Sequence, residues 1–127
     1  MLTIVCDMLE ATGKTYFHHD DVRLSQHKFG RALDFHLTDY IGMSDCRRLY
    51  HFHQDFIALA DWMVFTEYEK MGLGIYPQWN NPGFHLDTLG LDPGEQANRR
   101  WSQIDGEYVP YIYGVEWLSS ELKECRG

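Results

Sequence analysis

Asp34, His36, His85 and Asp87 stand where their types and spacing could do chemistry. Residues 31–37 read Arg-Ala-Leu-Asp-Phe-His-Leu. In an extended chain Leu33, Phe35 and Leu37 then share one face, and Ala32, Asp34 and His36 share the other. Residues 84–87 repeat the pattern, with Phe84 and Leu86 on one face and His85 and Asp87 on the other. If the two strands lie close in one sheet, two imidazoles and two carboxylates converge on a single surface. His27 lies in the loop just before the first strand. A His–carboxylate–His set with an open position is what a catalytic zinc ion takes. Spacing alone leaves the plainer reading open, because a chain with seven histidines brings some together by accident.

Other histidines fit chemistry less well. His51 and His53 flank Phe52 on an expected helix, where residues two apart do not share a face. His18-His19-Asp20-Asp21 reads as a solvated loop rather than a second metal site.

The elements that must position these residues can be sketched. Leu2–Cys6 is expected to be a short buried strand, residues 11–14 a turn, and Thr15–Phe17 a second strand. Ser44, with Asp45 behind it, is expected to cap a long helix. Leu49, Phe52, Phe56, Leu59, Ala60 and Met63 keep its helical period, and it should stop near Met71-Gly72. Residues 72–77 should form a strand ending at Pro77. Asp105-Gly106 is a two-residue hairpin signal, and residues 115–125 fit a final amphipathic helix. Trp101 is expected in the core, and Arg99-Arg100 in solvent. The expected class is α+β, a small antiparallel sheet with helices on one side, in one domain over residues 1–127.

Composition narrows the partners. With 19 acidic and 11 basic residues the net charge is −8, which argues against a nucleic acid or an anionic membrane as ligand. No stretch approaches the roughly 20 apolar residues of a membrane span. The N-terminal residues lack a signal-peptide pattern, so synthesis in the cytoplasm is expected. The three cysteines, Cys6, Cys46 and Cys125, are widely spaced and read as idle or buried thiols of a reducing compartment.

Residues 25–34, Ser-Gln-His-Lys-Phe-Gly-Arg-Ala-Leu-Asp, fit the pattern SxHxxGxAxD at every fixed position. This resembles the zinc motif of the D-Ala-D-Ala carboxypeptidase family of metallopeptidases, which includes the vancomycin-resistance dipeptidases. Farther on come Gly72-Leu-Gly-Ile-Tyr-Pro77, Phe84-His85-Leu86-Asp87 and Arg99-Arg100-Trp101. They are similar, in order, to the GxGxYP…HxD…RRW pattern of short C-terminal peptidase domains common in bacteriophages. The resemblance covers roughly residues 22–101.

The resemblance implies a hedgehog-like, D-Ala-D-Ala-peptidase-like fold. It implies one zinc ion on His27, Asp34 and His85, with Asp87 as catalytic acid or base. Arg23, Ser25, Arg31 and His36 become candidates for holding substrate. The implied substrate is the stem peptide of peptidoglycan, cut at L-Ala–D-Glu or at a D-Ala bond, by an enzyme that acts on the cell wall after release. Two departures keep a second reading open, a phage protein that keeps the fold and zinc without hydrolysis. Residues 2–9 contain no arginine where relatives carry an SGYR-like strand, and Pro82 and Gly83 stand where several branches place an acid.

Overall fold

The two alternating segments are neighbouring strands of one sheet. A computed structural model describes residues 2–13, 18–20 and 31–126 of the chain. The first segment is strand β2 (Ala32–His36), and the second is β4 (Gly83–Asp87). They pair antiparallel with Leu33 beside Leu86, Asp34 beside His85 and Phe35 beside Phe84. Around them lie β1 (His18–Asp20), β3 (Gly72–Tyr76), β5 (Arg100–Ile104) and β6 (Glu107–Pro110). The spatial order is β1-β2-β4-β3-β5-β6. Three α-helices are present among the described residues: α1 (Leu2–Thr12), α2 (Asp45–Val64) and α3 (Tyr111–Arg126).

The class is α+β as expected, but the sheet is mixed. β3 and β5 run parallel, with Leu73 beside Arg100 and Gly74 beside Trp101. The chain leaves β4, crosses past β3 and enters β5 from the same end as β3, a connection that strand-by-strand periodicity does not encode.

One face of the sheet holds the core. Leu33, Phe35, Leu73, Ile75, Phe84 and Leu86 pack against Val5 and Met8 of α1, Phe52, Phe56, Leu59 and Met63 of α2, and Leu118 and Leu122 of α3. Phe52 stacks on Phe84 with centroids 4.8 Å apart, so the long helix lies directly on the middle strand. Ser44 caps α2 as expected, accepting a hydrogen bond from the Arg47 N–H.

Several local expectations change. Residues 2–6 begin a helix rather than a strand. The β-branched run Thr3-Ile4-Val5 suggested a strand, yet Val5 and Met8 at helical spacing are almost fully buried, and tertiary packing overrides propensity. His18–Asp20 is an edge strand paired with β2, not a loop. The strand expected over residues 15–17 lies outside the described residues. The long helix ends at Val64, and a separate 3-10 turn, Glu67–Lys70, leads into β3. The Asp105-Gly106 hairpin is present, both residues with positive φ (53° and 79°), as a type I′ turn requires. The last helix starts four residues earlier than its sequence pattern, at Tyr111.

The cysteines are the largest correction. Cys46 at the start of α2 and Cys125 at the end of α3 form a disulfide across 79 residues of sequence, and Cys6 is the free, exposed one. The reading of idle thiols failed because α2 and α3 pack side by side, which sequence spacing cannot reveal.

Candidate metal centre

The face opposite the core carries the chemistry. Cross-strand register sets its residues in rows. One row runs Asp34 on β2, His85 on β4, Gly74 on β3 and Trp101 on β5. The next runs Ala32, Asp87 and Gly72. Asp34 is 4% exposed and Asp87 2%, so both carboxylates of this face are buried.

His85 joins the rows. Its Nδ1 lies 3.0 Å from Asp34 Oδ1, and its Nε2 lies 2.8 Å from Asp87 Oδ2. Asp87 Oδ1 accepts from the Leu89 N–H at 3.2 Å and from the Arg99 guanidinium. Burial alone pushes the His85 pKa down, but the hydrogen bonds and charges of Asp34 and Asp87 outweigh it, and the net direction is up. Burial likewise pushes Asp87 up. The His85 hydrogen bond and charge, then Arg99 and the Leu89 N–H, outweigh that and hold its carboxyl below the usual range.

Two acceptors facing one ring suit either a doubly protonated imidazolium or a ring that gives Nδ1 to a cation and keeps Nε2 on Asp87. Two tetrahedral zinc ligands with bonds near 2.0–2.1 Å have donor atoms about 3.3 Å apart. The 3.0 Å between Asp34 Oδ1 and His85 Nδ1 is close to that spacing. A carboxylate behind a ligating histidine is the usual support of such a ligand, and Asp87 stands there. The donor set therefore fits zinc with one further ligand. Among the described residues no three acid, histidine or cysteine side chains make a ready cluster; His27, the expected third ligand, lies outside them.

Of the substrate candidates, Arg23 and Ser25 also lie outside the described residues. Arg31 sits just before β2, paired with Asp92 and 3.4 Å from Thr88 Oγ1. His36 shares the face of Asp34 but is buried, with Nδ1 3.0 Å from the Thr38 carbonyl and its ring 5.8 Å from that of Tyr40.

Three residues turn out otherwise than expected. Trp101 is not in the core: its ring lies over the polar face, 5.1 Å from His85, and its Nε1 donates to the Tyr76 hydroxyl at 2.9 Å. Arg99 reaches the buried Asp87, with its guanidinium 5.7 Å from the Trp101 ring. Arg100 is spent on the backbone, donating to the Met71 carbonyl at 2.6 Å and the Glu69 carbonyl at 2.8 Å. The parallel pairing of β5 brings Arg99 and Trp101 here. The advance signals were the Arg99-Arg100-Trp101 run of the motif resemblance and Gly72-x-Gly74, whose missing side chains leave room above β3. A separate cleft of about 480 Å³, lined by Trp79, Trp117, Arg48 and Glu121 among others, includes none of the candidate ligands.

Comparison with protein-family models, curated proteins and solved structures gave no match.

Proposed function

We propose that this protein is a zinc-dependent peptidase of peptidoglycan stem peptides, with the fold of the D-Ala-D-Ala carboxypeptidase family and a role in phage-associated cell-wall lysis. The observation that supports it best is the cross-strand pair of Asp34 and His85. The two positions named by the motif resemblance sit side by side with donor atoms 3.0 Å apart. His27, Asp34 and His85 would hold the ion. Zinc bound there supplies Lewis-acid activation of water and of the scissile carbonyl.

The chain's own residues define the rest. Asp34 offers a carboxylate that offsets the cation's charge. His85 presents Nδ1 on the same side while Asp87 holds its other nitrogen. Trp101 packs beside His85 with ring centroids 5.1 Å apart. Asp87, the expected base, has both oxygens engaged by donors, which supports a role in orienting His85. Arg31, just before β2 and paired with Asp92, is partly exposed and cationic, as a contact for a stem-peptide carboxylate would be.

The test is zymography on purified cell walls beside His85→Ala. Clearing by the wild type that the variant lacks is the expected result. The second reading, a zinc-binding protein without hydrolysis, draws on the engaged oxygens of Asp87 and on Pro82 and Gly83 where an acid would otherwise stand. It predicts bound zinc and no clearing.

A further inference from the structure

Arg99 stands one residue before β5, and the motif resemblance gives it no task. Its guanidinium donates to Asp87 Oδ1, and Asp87 Oδ2 lies 2.8 Å from His85 Nε2. The three side chains form one chain of contacts ending on the ring whose other nitrogen faces Asp34. The Asp87 side chain is 3% exposed and that of Arg99 25%, so the pair sits at the inner edge of the site rather than in free solvent.

Gly72 supplies the space. A Cβ built there would lie 2.6 Å from Arg99 Nη2 and 2.6 Å from Asp87 Oδ2, closer than real Cβ atoms come. On the other side of Asp87 the register partner is Ala32, also small. The ion pair thus occupies the volume that a side chain at 72 would fill. At Gly74 a Cβ would lie 2.5 Å from Trp101 Nε1, so the indole beside His85 needs the second glycine in the same way. The spacing Gly-x-Gly on β3, His-x-Asp on β4 and Arg-x-Trp at β5 is one packing unit in three pieces.

Two carboxylates beside one imidazole leave excess negative charge in a buried place, which is costly without a partner. A guanidinium meets that need better than an ammonium, because it stays charged and its planar fork sets the carboxylate's direction. We propose that Arg99 is a positioning residue for the candidate zinc centre: it holds Asp87 so that Asp87 fixes the ring of His85, in room that Gly72 leaves open. The inference rests on the zinc reading above. It adds a residue and a reason for the glycine.

The experiment compares wild-type protein with Arg99→Ala, Arg99→Lys, Gly72→Ala and His85→Ala. Zinc affinity is measured by competition with a chromophoric chelator. The visible spectrum of the cobalt-loaded protein reports ligand geometry, and circular dichroism of each chelator-treated variant reports folding. His85→Ala should lose metal binding. Arg99→Ala and Gly72→Ala should stay folded, bind zinc about 10–100-fold more weakly and change the cobalt spectrum. Arg99→Lys should fall between Arg99→Ala and the wild type. Folded Arg99→Ala with wild-type affinity and spectrum, beside a metal-free His85→Ala, overturns the role of Arg99 and leaves the zinc centre standing. Zinc retained in His85→Ala overturns the zinc reading itself. If Arg99→Ala does not fold, Arg99→Lys decides: wild-type affinity and spectrum there overturn the proposal.

Discussion

At His85 both ring nitrogens face carboxylates, and the two acids have different surroundings. Asp34 comes from the neighbouring strand in direct register, whereas Asp87 is two residues along the same strand and is gripped by Arg99 and the Leu89 N–H. In the proposed zinc centre that asymmetry suits Asp34 to a ligand's place and Asp87 to a support's. Asp87→Asn should therefore weaken zinc binding by about 10-fold or more, and lower hydrolysis with it. Metal titration alongside a muropeptide assay checks this. Wild-type zinc affinity with hydrolysis down about 10²-fold would instead make Asp87 the general base. Gly74→Ala should force the Trp101 indole off the face and cost about 1–3 kcal/mol by overpacking, read by urea unfolding. Unchanged stability would show that the ring has another resting place.

Elements carry these residues into place, and α2 does so with one side chain that hydrophobic periodicity passes over. Asp55 falls between Phe52 and Phe56 on the buried side of the helix and is fully buried. Its Oδ2 accepts from the Thr38 hydroxyl, tying α2 to the segment that leaves β2 two residues after His36. Asp55→Ala should cost about 1–3 kcal/mol by leaving Thr38 without this acceptor, measured by chemical denaturation, with zinc stoichiometry retained. The cap at Ser44, the apolar stripe of α2 and the alternation in β2 and β4 are local signals, legible in the sequence, and the alternation is enough to place Asp34 and His85 on the polar sides of their strands. The Asp105-Gly106 turn is local too. The parallel entry of β5 beside β3 is not, and it brings Arg99 to Asp87 and Trp101 to His85. Buried polar partners such as Asp55 are also invisible to periodicity, because their burial depends on a contact far along the chain.

For the whole molecule, the staple between Cys46 and Cys125 joins the start of α2 to the end of α3. Closing a 79-residue separation stabilises by up to about 4.5 kcal/mol on a chain-entropy account. Reduction, or Cys46→Ser, should then lower Tm by about 8–15 °C, and a thiol assay of the native protein should find Cys6 alone. Three reactive thiols under native conditions would remove the staple from the account. Alkali offers another global check. Burial pushes Tyr111 up to about 12, partly opposed by the charge of Arg100. Burial and then the charge of Asp55 raise Tyr40 as well. Both groups keep their protons in the folded chain after the unfolded chain loses them near pH 10. Their stabilisation is complete below about pH 10 and is lost as pH rises toward 12. Phenolate absorbance should show these two tyrosines ionising together with unfolding, after the exposed ones. Smooth titration of all eight tyrosines in folded protein would contradict the burial of this pair.

The central claim is that His27, Asp34 and His85 hold one metal ion. Elemental analysis after exhaustive dialysis tests it most directly, on wild-type protein, His27→Ala, His85→Ala and the helix-surface control His51→Ala. The expected result is about one zinc per chain in the wild type and in His51→Ala, and little in the other two, since a zinc site needs at least three protein ligands. Full zinc retention in both His27→Ala and His85→Ala would contradict the account.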